Sequence, residues 1–149
     1  MPALLEKARA ISTGNAEIDK KLGGGIPMGS MVLIEGQSDS GKSVLTQQFT
    51  WGSLREGCKV SVLTTENTVR SFIKQMQSLN LDILDYCLLN KLRIYPVKAM
   101  KARDGTDRAL TALLNAVLLQ KEQDMVIIDS ITSFIAHSTM EQVIGFFED

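Results

Sequence analysis

Apolar residues along this chain follow two patterns, short unbroken runs and longer stretches recurring every three and four positions. The first is the signature of buried strands and the second of amphipathic helices. Residues 31–35 open with Met31, Val32, Leu33 and Ile34 and predict a strand that runs directly into a glycine-punctuated loop. After that loop Val44, Leu45, Gln48 and Phe49 keep helical spacing, and Gly57 is placed to stop the helix. Residues 59–64 predict the next strand, and Val69, Phe72, Ile73 and Met76 fall at i, i+3, i+4 and i+7 on the helix after it. A third strand is expected over 92–95. Leu110, Leu113, Leu114, Val117 and Leu118 then mark the clearest amphipathic helix, followed by a fully apolar strand from Met125 to Ile128 that ends in Asp129. Met140, Val143, Ile144 and Phe147 return to helical spacing at the end of the chain, as a stripe that needs a cover.

Strands and helices in alternation favour parallel βα units over a sandwich or a bundle. The expected fold class is therefore α/β, a parallel sheet flanked by helices, in a single domain over residues 1–149. With 44% hydrophobic residues in 149 the chain can build a core. A formal net charge of −1 excludes a global field of the kind that gathers nucleic acid or anionic membrane. No apolar stretch approaches the ~20 residues that span a bilayer. Cys58 and Cys87 form no C-x-x-C pair, which favours reduced thiols in a cytosolic setting over a disulfide framework or metal knuckle.

The strongest chemical signal is Gly36, Gln37, Ser38, Asp39, Ser40, Gly41, Lys42 and Ser43. This run fits G-x-x-x-x-G-K-[ST] without a mismatch, between a predicted strand and a predicted helix, where a phosphate-binding loop has to sit. The two glycines let the backbone turn its N–H groups inward, and the helix N-terminus, including the Val44 amide, adds partial positive charge toward phosphate oxygens. Lys42 supplies a mobile cation for the β- and γ-phosphates, and the Ser43 hydroxyl is placed to ligate Mg²⁺. The ligand is expected to be ATP with Mg²⁺.

Two acidic positions extend that site. Asp129 ends its apolar strand where a Walker B carboxylate sits, reaching the metal directly or through water; strand ends also carry aspartate for no chemical reason. Glu66 follows the 59–64 strand at the edge of a parallel sheet where ligands collect, and could polarise an attacking water. Its plainer role is a solvated carboxylate near a helix start.

These positions, with Asn15 to Asp19, Leu22 to Pro27 and Gly29–Ser30 upstream, resemble the RecA/KaiC-like ATPases. Within that group Ile11 to Asn15, Gln47 to Thr50 and Thr64 to Thr68 look most like the FlaH (ArlH) accessory ATPases of the archaeal flagellum, the archaellum. The resemblance runs from about Ile11 to the end of the chain. It implies Lys42 and Ser43 on phosphates and Mg²⁺, Asp129 as Walker B residue, and Glu66 at the catalytic glutamate's position. It also implies assembly into a ring, a hexamer when full length, and docking on the motor ATPase FlaI and scaffold proteins at the cytoplasmic face of the membrane. KaiC-type sites often present two adjacent glutamates, whereas Glu66 is followed by Asn67, which implies weak or no hydrolysis. The family core further implies a strand after Asp149, inserted between the P-loop strand and the Walker B strand, so the domain is expected to be C-terminally incomplete. A second class within the resemblance is a KaiC/RadA-like ATPase of DNA recombination or signalling, and a third is a remnant that no longer holds nucleotide.

Other signals weigh less. Lys91, Arg93, Lys98, Lys101, Arg103 and Arg108 make the middle of the chain locally basic, but Asp104 and Asp107 interrupt them and Tyr95 is the only nearby aromatic. A solvated face or subunit contact is the better reading than a nucleic-acid surface. His137 has no Cys or His close in sequence and is not expected to ligate metal. Trp51 and the seven methionines are expected to pack.

Overall fold

The computed structural model describes residues 9–97, 107–136 and 138–148. The chain divides into two compact units, Met1–Cys58 and Lys59–Asp149.

The first unit begins with β1 (Ala10–Ile11), α1 (Ala16–Lys21) and β2 (Ile26–Pro27). The two short strands pair antiparallel, with Ile11 opposite Ile26 and both side chains buried. Asn15 caps α1, its Oδ1 accepting from the Glu17 and Ile18 amides at 3.0 and 3.2 Å. Glu17 and Asp19 in the first turn and Lys20 and Lys21 in the last complement the helix dipole. The unit ends in α2 (Lys42–Arg55). Gly57 takes φ +85° after that helix. Its amide donates to Leu54 O and that of Cys58 to Ser53 O, both at 3.0 Å, the paired closure that a left-handed residue permits at a helix end.

Residues 31–35 are not a strand. The segment makes no ladder, and Met31 and Leu33 are 72% and 64% exposed. An apolar run becomes a strand only where a neighbour supplies hydrogen bonds, and none of the described strands pairs with it.

The second unit holds β3 (Val60–Thr64), α3 (Val69–Ser78), α4 (Leu84–Leu88), β4 (Leu92–Pro96), α5 (Asp107–Leu118), β5 (Met125–Asp129), α6 (Thr132–Ile135) and α7 (Met140–Glu148). Its sheet is parallel in the order β4-β3-β5. Central β3 is buried at every residue, which is why its sequence reads as a continuous run rather than an alternation. Thr68 starts α3 through a reciprocal cap with Ser71, and Phe72 and Met76 are its buried face. Leu63, Leu110, Leu113 and Phe134 form a core cluster, with Val126, Ile128 and Phe146 packed against it.

Helix α7 therefore reaches the core through Phe146, whereas Met140, Ile144 and Phe147 of the expected stripe are exposed. The short helices α1, α4 and α6 were not anticipated by spacing, since four to six residues are too few to establish a period. The methionines divide: Met76 is fully buried, while Met28, Met31 and Met140 are exposed. Neither cysteine is in a disulfide, and burial pushes the Cys87 thiol above its ordinary value. His137, Lys98, Lys101, Arg103 and Asp104 lie outside the described residues. Among described residues no helix is long and apolar enough to cross a membrane.

Candidate phosphate-binding site

The segment 36–43 runs into α2, whose first two residues are Lys42 and Ser43, without the strand expected before it. Gly41 sits at the helix N-cap with φ +88°, a conformation that side chains rarely adopt, and no side chain caps the helix there. The amides of a first helical turn have no acceptor within the helix, so the loop delivers uncapped donors and the positive dipole end to one spot. Gly36 has a different reason to be glycine: a Cβ there would lie 2.5 Å from Ser40 Oγ. Asp39, at φ +60°, and the Ser40 amide, donating to Gln37 O at 3.3 Å, make the tight turn between them. Gln37, Ser38, Asp39 and Ser40 are exposed, where a ligand can approach their backbone.

Lys42 bends back over this loop. Its Nζ donates to Gly36 O at 2.8 Å and to Gln37 O, which holds the ammonium at the loop's mouth. Phosphate oxygens, being charged, are stronger acceptors than these carbonyls. Ser43 is half-buried on the first turn of α2, and Val44 beside it is 50% exposed.

The acidic positions belong to the sheet unit, where they share one edge. Asp129 pairs in register with Thr64 and is only 6% exposed. The Thr65 amide donates to Asp129 O at 2.9 Å, and the Ser130 amide to Thr65 Oγ1 at 3.2 Å, so the loops leaving β3 and β5 are stitched together. Thr64 Oγ1 accepts from the Glu66 and Asn67 amides at 3.3 and 3.2 Å. That bond shapes the turn that carries the exposed Glu66 carboxylate. Asn67 is turned away, its Oδ1 accepting from Ser71 Oγ at 3.1 Å. Thr64 and Thr65 stand in the sequence reading only within the stretch Thr64 to Thr68 that carries the resemblance; a hydroxyl directly after an apolar strand is the signal that marks such turns.

Ser43 in the first unit and Asp129 in the second are each a hard oxygen donor of the kind Mg²⁺ takes, and among described residues no group of three or more His, Cys, Asp or Glu side chains gathers.

Comparison with known proteins gives the chain a family. The family model "ATPase: KaiC" matches residues 11–147. The chain is similar to the archaeal flagellar ATP-binding protein FlaH of Sulfolobus acidocaldarius, 35% identical over 142 residues that cover 93% of this chain and 61% of that protein. Its counterpart in Methanocaldococcus jannaschii is 36% identical over 138 residues, 93% of this chain and 59% of the other. The fold matches the crystal structure of the flagellar accessory protein FlaH from M. jannaschii with a TM-score of 0.78 and 33% identity, over 94% of this chain and 65% of that one. The chain thus spans about three fifths of the length of the curated relatives it matches.

Proposed function

The chain belongs to the KaiC family of ATPases, and from that premise we propose that it is an ATP-binding regulatory subunit of the archaellum motor. The observation that carries the reading is the loop 36–43 delivered to the uncapped start of α2, with Lys42 Nζ folded over it. The amides of the loop and of the first turn of α2 would orient the phosphates and Lys42 would neutralise their β- and γ-oxygens, while the Ser43 hydroxyl and the Asp129 carboxylate are each proposed as a ligand of Mg²⁺. The metal would supply charge neutralisation and alignment of the phosphate chain.

Glu66 is the group to polarise a water, and its exposure together with the diversion of Asn67 to Ser71 supports slow turnover at most. Binding, rather than hydrolysis, is then the output: the nucleotide orders the loop and gates assembly. The partners proposed with this reading are further copies of the chain in a homo-oligomeric ring and the motor ATPase FlaI with its scaffold proteins at the cytoplasmic face of the membrane.

Calorimetric titration of the full-length protein with Mg·ATP tests the reading. Lys42→Ala is expected to lose about 100-fold in affinity, since it removes a charge-assisted contact of about 1.5–3 kcal/mol, and to release the motor ATPase in co-sedimentation. Unchanged affinity refutes the phosphate-loop assignment; lost affinity with the motor interaction intact refutes the gating role alone.

A further inference from the structure

Ser12, Thr13 and Gly14 lie directly on the helix that carries the phosphate loop. Thr13 is wholly buried, and its carbonyl accepts from Gln48 Nε2 at 2.8 Å. Gly52 is where the backbones meet: a Cβ there would overlap the Ser12 and Thr13 main chain, and one on Gly14 would lie 3.2 Å from Gly52 Cα. The segment is held in shape from behind by Asp19, whose Oδ1 accepts from Thr13 N at 2.8 Å and Thr13 Oγ1 at 2.6 Å, and whose Oδ2 accepts from Ser12 Oγ at 2.6 Å. Burial of that carboxylate raises its pKa, but the bonds from Ser12 and Thr13 outweigh it and hold the group below its ordinary value.

The same segment is continuous with β1, which pairs with β2, and β2 leads within a few residues into 31–35 and the loop. The Met28 amide donates to Arg9 O at 2.8 Å and Ser30 Oγ to Pro27 O at 2.6 Å. Both flanks of residues 31–41 are therefore tied to one N-terminal element: the upstream flank through β1–β2, the downstream flank through Gln48 and Gly52 on α2. The segment between has no ladder of its own to set its path.

We propose that residues 10–28 act as a clamp that sets the separation of the two flanks of the phosphate loop, with Gln48, Gly52 and Asp19 as positioning residues for nucleotide. This rests on the reading that the loop binds nucleotide, yet the clamp is measurable without any. Gly52→Ala wedges the helix from Thr13, and Gln48→Leu removes the side-chain bond to the Thr13 carbonyl without adding bulk, which keeps the test sound if the first variant fails to fold.

Amide hydrogen exchange on nucleotide-free full-length protein is the primary readout. The expected result in Gln48→Leu is faster exchange confined to residues 31–45, with β3 and β5 unchanged, together with about tenfold weaker Mg·ATP binding, the scale of one lost hydrogen bond. Exchange in 31–45 equal to wild type overturns the clamp, as does faster exchange spread equally through β3 and β5, which marks general destabilisation. Faster exchange in 31–45 with affinity unchanged overturns the positioning role. A wild type that binds no Mg·ATP overturns the nucleotide reading instead, while exchange still decides the clamp.

Discussion

Residues 60–64 and 31–35 are both short apolar runs preceding a loop with chemistry in it, and the protein treats them in opposite ways. Val60, Val62 and Leu63 are enclosed between β4 and β5 with a full ladder on each side; Met31, Val32 and Leu33 are exposed and unladdered. The apolar content is alike, and what differs is the supply of neighbours. A run flanked by two strands becomes a core, and a run without them becomes a tether whose path is set from its ends. Stability should accordingly reside in the first and ligand binding in the second.

The sharpest way to break that contrast is a charge in each run. Leu63→Asp buries an unpaired carboxylate at a side chain 1% exposed and is expected to cost more than about 4 kcal/mol, enough to abolish cooperative unfolding. Leu33→Asp should cost less than about 0.5 kcal/mol in chemical denaturation, as a surface change does. Equal losses would show that both runs are packed in the working protein.

Phe72→Ala, on the buried face of α3, should remove about 3–5 kcal/mol while leaving Mg·ATP affinity in the folded fraction untouched. Gly36→Val should do the reverse, holding the unfolding midpoint near wild type while the added side chain displaces Ser40 and weakens nucleotide binding by about tenfold or more. A variant that moves both quantities together would dissolve the division of labour.

Smaller effects sharpen the picture at the helix starts. Thr68→Ala deletes the cap of α3 and should cost about 1 kcal/mol, read by denaturant titration. Asp19 offers a pH test. Its folded carboxyl sits below the ordinary 3.8, so its contribution to stability is fully present above that value and is lost as pH falls through the lower folded value. Wild type should therefore lose stability relative to Asp19→Asn as pH drops below about 4, and the two should run parallel above about pH 6. Parallel curves throughout would detach Asp19 from the clamp.

Much of the fold was legible because several devices are local. The spacing of Phe72 and Met76 marks the buried face of α3, although Val69, counted on the same face, is exposed at the first turn. The loop 36–43 declares itself because phosphate binding needs glycines, a lysine and a hydroxyl at fixed distances along one chain. The clamp is not legible in the sequence, although Ile11 to Asn15 and Asp19 carry part of the family resemblance. Its bonds join Thr13 to Gln48 across 35 positions, and no periodicity records a meeting of that kind.

By itself the sequence determined the succession of β3, α3, β4, α5 and β5, the glycine-lysine-serine motif at the start of α2 and the aspartate that ends β5, since each follows from backbone propensity and side-chain chemistry within a few residues. Only the tertiary structure decided that β3 lies between β4 and β5, that 31–35 stays outside a ladder, that Phe146 rather than the neighbouring stripe anchors α7, and that an N-terminal segment presses on α2. Those outcomes depend on which distant backbone groups and surfaces come together, and hydrogen-bond satisfaction and close packing are settled between segments, not along them.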